Sequence, residues 1–123
     1  MIETYRDLEV FRRSYQFSIE IKTISLHFPS EERYLLKDQI NRSSRSIPAN
    51  IAEGWAKRNF DAVFKRQLVD AIGSCAETEV HLQMAKDFGY INSDVFKKQS
   101  QEMDEIYKML CALHRKWKTI NVR

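Results

Sequence analysis

Glu77 and His81 stand four residues apart, a spacing that puts both side chains on one face of a helix where a divalent cation could bridge them. A di-metal centre in a helical bundle needs repeated Glu-x-x-His pairs with further glutamates, and no such repeat occurs. A solvent-facing helical pair is the reading this spacing favours. The other histidines, His27 and His114, fall in different segments, and no nucleophile elbow or similar signature joins them to a serine. The 3 glycines lie far apart, so neither G-x-x-x-x-G-K nor G-x-G-x-x-G exists to cradle a phosphate. Cys75 and Cys111 match no zinc module and read as reduced residues of a cytoplasmic protein, with a disulfide as the less favoured alternative. An enzyme is not expected, and neither is a metal or cofactor.

Basic clusters are the remaining chemistry. Arg42 with Arg45, Lys57 with Arg58, Lys65 with Arg66, and the tail of Arg115, Lys116 and Lys118 are candidates for contact with RNA or DNA phosphate. Lys57 and Arg58 lie between Trp55 and Phe60, which could add base stacking to phosphate contact. The competing reading for the two aromatics is that they close one end of a core. Net charge is only +3, from 20 Lys+Arg against 17 Asp+Glu. Residues 1–54 hold 8 basic and 8 acidic side chains, 55–91 hold 5 and 5, and 92–123 hold 7 and 4. The excess therefore sits in the last segment, whose end, through Arg123, contains no acid. Such an end either attracts polyanions or suits the negative pole of a helix.

The elements that must carry these residues are helices. A chain of 123 residues with 43% hydrophobic and 30% charged side chains is one domain's worth of globular sequence, read as a single domain over 1–123. With 3 Gly and 2 Pro it has few of the turns a sandwich or barrel needs. Phe28-Pro29-Ser30, Gly54 to Asn59, and Gly89 with Asn92 and Ser93 punctuate it into segments of roughly 7–28, 31–54, 60–88 and 93–119. Ser30, Asn59 and Asn92 or Ser93 are the expected N-caps, and Gly89 the expected helix-ending glycine. Three- and four-residue apolar spacing runs through every segment. The stripes are Val10, Ser14, Phe17, Ile21, Ile24 and Phe28; Leu36, Ile40, Ser43, Ile47 and Ile51; Phe64, Leu68, Ala71, Cys75, Thr78, Leu82 and Ala85; and Phe96, Gln99, Met103, Ile106, Leu110, Leu113 and Trp117. The pattern predicts an all-α, up-and-down antiparallel four-helix bundle. No signal peptide or membrane span is expected from the sequence.

Two of the four helices are apolar on both sides. Opposite its stripe, the first carries Leu8, Phe11, Tyr15 and Ile19, and the third carries Val69, Gly73, Ala76, Val80 and Met84. The corresponding sides of the second and fourth helices are polar. A small isolated bundle has no use for two apolar faces on one helix, so these residues are the candidates for a homo-oligomer interface. Gly73 costs roughly 1 kcal/mol relative to Ala inside a helix, which suggests another backbone passing close by.

The run Ser46-Ile47-Pro48-Ala49-Asn50-Ile51-Ala52-Glu53-Gly54 is unusual for a helix, because Pro48 removes an N–H that would bond the Ser44 carbonyl. A kink or early stop is expected there. This run resembles the signature of the bacterial four-helix-bundle proteins encoded in intervening sequences of large-subunit ribosomal RNA genes. Asp7-Leu8-Glu9-Val10, Phe28-Pro29 with Glu32, Gln39 with Arg42, Gly73-Ser74 with Glu77 and Glu79, and Gly89-Tyr90-Ile91 add to the resemblance over nearly the whole chain. It implies a left-handed bundle assembled as a ring-shaped homopentamer. A related branch, the accessory variability proteins of diversity-generating retroelements, binds nucleic acid and a reverse transcriptase. Two functions are carried forward: a nonenzymatic oligomer binding nucleic acid through its basic clusters, and a scaffold presenting a protein partner without touching nucleic acid.

Overall fold

Four helices, α1 (Glu9–Ser25), α2 (Leu36–Ala56), α3 (Asp61–Asp87) and α4 (Ser93–Lys116), make up most of the computed structural model, which describes residues 1–118. Short 3-10 turns at Tyr5–Asp7 and Ser30–Glu32 precede α1 and α2, and no strand occurs among the described residues. Each helix packs on the next in sequence and α1 closes the circle against α4, so α1 and α3 occupy opposite corners. The aromatic contacts fix the up-and-down course. At one pole Trp55 from the end of α2 meets Phe64 from the start of α3 and Trp117 from beyond α4, with centroid separations of 4.4–6.2 Å. At the other, Phe28 after α1 lies 5.5 Å from Tyr90 after α3.

The predicted stripes form the core. Phe17, Ile21, Ile40, Ile47, Ile51, Phe64, Leu68, Leu82, Met103, Ile106 and Leu110 are fully buried. Burial of one such side chain contributes about 1.5–3 kcal/mol. The α2–α3 seam is different, made of small and hydroxyl side chains. Thr78 Oγ1 donates to Ser43 Oγ at 2.9 Å and Ser46 Oγ donates to Ser74 Oγ. The α1–α4 seam is clamped from outside by Arg13, whose Nε and Nη2 donate to the two carboxylate oxygens of Glu102 at 3.0 and 2.6 Å.

The helix boundaries depart from expectation in instructive places. Pro48 neither stops nor ends α2, which continues to Ala56. Losing one backbone bond is outweighed where Ile47, Ile51 and Trp55 are all pulled into the core. Gly54, expected as part of a polar break, is buried inside α2. A Cβ there would come within 2.8 Å of both Gln67 Cβ and Phe64 Cδ1, so glycine lets α3 approach. Ser30 starts the 3-10 turn instead of capping α2. Glu32 takes over, accepting from the Leu36 N–H at 3.2 Å and from the Tyr90 hydroxyl at 2.7 Å. Asn59 caps nothing, since Phe60 stands at the α3 N-cap without a side-chain bond. Asn92 does cap α4, its Oδ1 accepting from the Val95 N–H at 2.8 Å, and Gly89 has the positive φ of 82° that ends α3.

Candidate interaction surfaces

The Glu77–His81 pair has a different setting from the one expected. His81 is buried, only 7% exposed, with Nε2 donating to Glu77 at 3.2 Å and Nδ1 left without a partner. No group of three metal-ligating side chains exists among the described residues, so the pair has no third ligand. Cys75 is buried and Cys111 half-buried, both as free thiols. Burial, with Glu79 and Cys111 nearby, pushes the Cys75 thiol up to about 12.

The outer face of α3 is open as its pattern required. Val69, Gly73, Ala76, Val80 and Met84 are all exposed, Val80 at 52%. Nothing among the described residues comes within 4 Å of where a Gly73 Cβ would be, so no described element of the same molecule approaches closely there. The α1 set divides. Leu8 belongs to the core at 6% exposure, because the chain turns at the Tyr5–Asp7 3-10 segment and folds Leu8 inward. It is withdrawn as an interface residue. Phe11 is half-buried, edge-on to Tyr5 at 4.7 Å and 5.8 Å from Tyr15. Tyr15 and Ile19 are exposed. Together these side chains line a groove of about 940 Å³ between α1 and α2, floored by Pro48, Ala49 and Ala52 and rimmed by Arg6, Arg12, Lys22 and Arg45. No carboxylate lines it. The groove escaped the sequence reading because its rim is drawn from three elements, the Tyr5–Asp7 turn, α1 and α2. The signal in the sequence was Arg12 and Lys22 flanking Tyr15 and Ile19 along α1.

The basic clusters separate into a middle and an end. Arg42 sits midway along α2, 3.6 Å from Asp38, and Arg45 Nε donates to the Asn41 carbonyl at 3.1 Å. The other clusters converge. Because α3 begins where α2 and α4 end, Lys57, Arg58, Lys65, Arg66, Arg115, Lys116 and Lys118 share one pole. Lys65 and Arg66 border a depression of about 540 Å³ with His114 and Asp70. Lys57 is 2.9 Å from Glu53, which also accepts from Gln67 at 2.9 Å. Trp55 is not available for stacking on a base, being buried against Phe64 and Trp117, and the Arg58 guanidinium covers its ring at 4.4 Å. Phe60, 69% exposed, remains open. Arg123 lies outside the described residues.

Residues 6–112 match the 23S rRNA-intervening sequence protein family. The chain belongs to that family. A crystal structure from Bacteroides thetaiotaomicron VPI-5482, of a protein with unknown function from the S23 ribosomal protein family, is similar with 27% identity and a TM-score of 0.79. The likeness covers 87% of this chain and 96% of that one. No curated protein matches significantly. The family match takes in the Pro48 run, the core of all four helices and the Glu32–Tyr90 pole. No helix among the described residues is long and apolar enough to cross a membrane.

Proposed function

We propose that this chain is a nonenzymatic, self-associating four-helix bundle, assembled as the homopentameric ring its family resemblance implies, which binds nucleic acid through its basic pole. The observation that carries the reading is the convergence of Lys65, Arg66, Arg115, Lys116 and Lys118 at one end of the bundle, from segments far apart in sequence. Lys65, Arg66, Arg115 and Lys118 form no salt bridge among the described side chains, so a polyanion would displace little to reach them. One such cluster binds phosphate weakly. Repetition around a ring lets several weak contacts engage one strand, raising affinity without new chemistry.

Arg42, Arg45, Lys57 and Arg58 have secondary roles in this reading, because each already has a partner within the bundle. The test is binding of labelled RNA, single-stranded DNA and duplex DNA in a salt titration, with wild type beside Lys65→Glu/Arg66→Glu. Salt-sensitive binding that falls in the double variant supports the reading. No retention of any nucleic acid at low salt removes it, and leaves the basic pole to an acidic protein partner, as the scaffold reading requires. Light scattering behind a sizing column tests self-association independently, and a monomer at micromolar concentration defeats it.

A further inference from the structure

Two unpartnered surfaces at opposite corners of the bundle carry opposite charge. The α1–α2 groove is concave and apolar within, with Tyr15, Ile19 and Pro48 among its lining, and its rim holds Arg6, Arg12, Lys22 and Arg45. None of those four cations forms a salt bridge among the described residues. The outer face of α3 is a ridge with Val69, Gly73, Ala76 and Val80 at its crest. From residue 69 to 87 that helix carries Asp70, Glu77, Glu79 and Asp87 against Lys86 alone. All four carboxylates are exposed and none is bridged to a lysine or arginine among the described residues.

An apolar ridge flanked by acids that no lysine or arginine bridges fits an apolar groove rimmed by bases that no carboxylate bridges. We propose that the outer face of α3 in one copy seats in the α1–α2 groove of the next, an inference that rests on the self-association proposed above and names its two mating surfaces. Because α1 and α3 stand at opposite corners, a seated pair leaves one groove and one ridge free. The contact is therefore head-to-tail and propagates until it closes into a ring. A ridge-to-ridge dimer would bring eight carboxylates together and is disfavoured by charge. The open space over Gly73 is consistent with this: a side chain there meets nothing in its own molecule, and its absence lets the crest of α3 sink into the groove. Glu79 agrees as well, since desolvation and the neighbouring Asp104 hold its carboxyl above the ordinary range, and a cation from the groove rim would offset the repulsion.

The test uses two reversed variants of the full chain, Asp70→Lys/Asp87→Lys on the ridge and Arg12→Glu/Lys22→Glu on the groove. Light scattering and sedimentation velocity at micromolar concentration should find wild type assembled and each variant monomeric, with helical circular dichroism unchanged. A single chain carrying both reversals should recover assembly, since every junction then seats a cationic ridge in an anionic groove whatever the number of copies. If either double variant loses its helical signal, Asp87→Lys and Lys22→Glu, singly and then combined in one chain, provide the same readout. Variants that assemble like wild type, or a folded chain with both reversals that stays monomeric, overturn the pairing while leaving self-association intact. A monomeric wild type overturns both.

Discussion

Cys75 lies on the stripe of α3 with its thiol closed off from solvent, and burial is the main reason its ionisation is pushed up from 9.0 to about 12. Only the thiolate attacks alkylating reagents, so Cys75 is protected twice, by access and by protonation. Cys111 is half-buried on α4. Iodoacetamide at neutral pH should label Cys111 in the native protein and Cys75 only after denaturation, read by peptide mass spectrometry at timed intervals; equal rates would mean that α3 is not packed as described. The same shift makes stability depend on alkali. A group whose folded pKa exceeds its unfolded one binds more protons when folded, so its contribution is complete below the unfolded value and disappears as pH rises through the folded one. For Cys75 that window runs from 9.0 to about 12. Tyr90 adds a second, from 10.0 to about 12, because its hydroxyl donates to Glu32 and ionisation would end that bond. Urea unfolding should show stability falling steadily above pH 9. Tyr90→Phe should flatten the upper part of that fall, and an unchanged pH profile in this variant would show that the Glu32 bond is not what raises the phenol.

At the scale of elements, glycine identity separates two kinds of close approach. Gly54 and Gly73 both interrupt helices where Ala would be favoured by roughly 1 kcal/mol. At Gly54 the added methyl collides with Gln67 Cβ, which sits on the α3 backbone and cannot swing aside. Overpacking of that kind costs about 1–3 kcal/mol, so Gly54→Ala should lower unfolding stability despite its better propensity. At Gly73 the methyl meets nothing within the chain. Gly73→Ala should raise the stability of the separated monomer by up to about 1 kcal/mol, while weakening assembly if the α3 ridge is mated. Denaturation at matched dilution, paired with sizing at higher concentration, measures the two effects separately. These glycines also mark what the sequence made legible. All four apolar stripes were visible, since burial of one face imposes a period that composition cannot hide. The course of α2 through Pro48 was not, because the favourable burial of Trp55 and the space for α3 at Gly54 are tertiary facts. The replacement of Ser30 by Glu32 at the start of α2 was hidden for the same reason: Glu32 is positioned by Tyr90, more than fifty residues away.

For the whole molecule, the informative feature is the placement of charge rather than its amount. A surplus of +3 says little about partners. The fold turns it into an acidic ridge on α3, a basic groove between α1 and α2, and a basic pole, three regions that sequence order scrambles. The groove and the ridge neutralise each other if copies pair through them, which leaves the pole as the uncompensated cationic surface of the assembly. That allocation gives a quantitative expectation for nucleic-acid binding. Each phosphate contact contributes about −0.9 to the slope of log affinity against log salt on duplex DNA. Lys65→Gln/Arg66→Gln removes two such contacts from each engaged copy, so the slope should become shallower by about 1.8 for one copy and by a multiple of that for a strand lying across several. The groove variant Arg12→Glu/Lys22→Glu, being monomeric, should bind with the shallow slope of a single pole. A slope unmoved by Lys65→Gln/Arg66→Gln would remove the pole as the binding surface. A slope as steep in the monomeric groove variant as in wild type would show that multiplicity contributes nothing to binding.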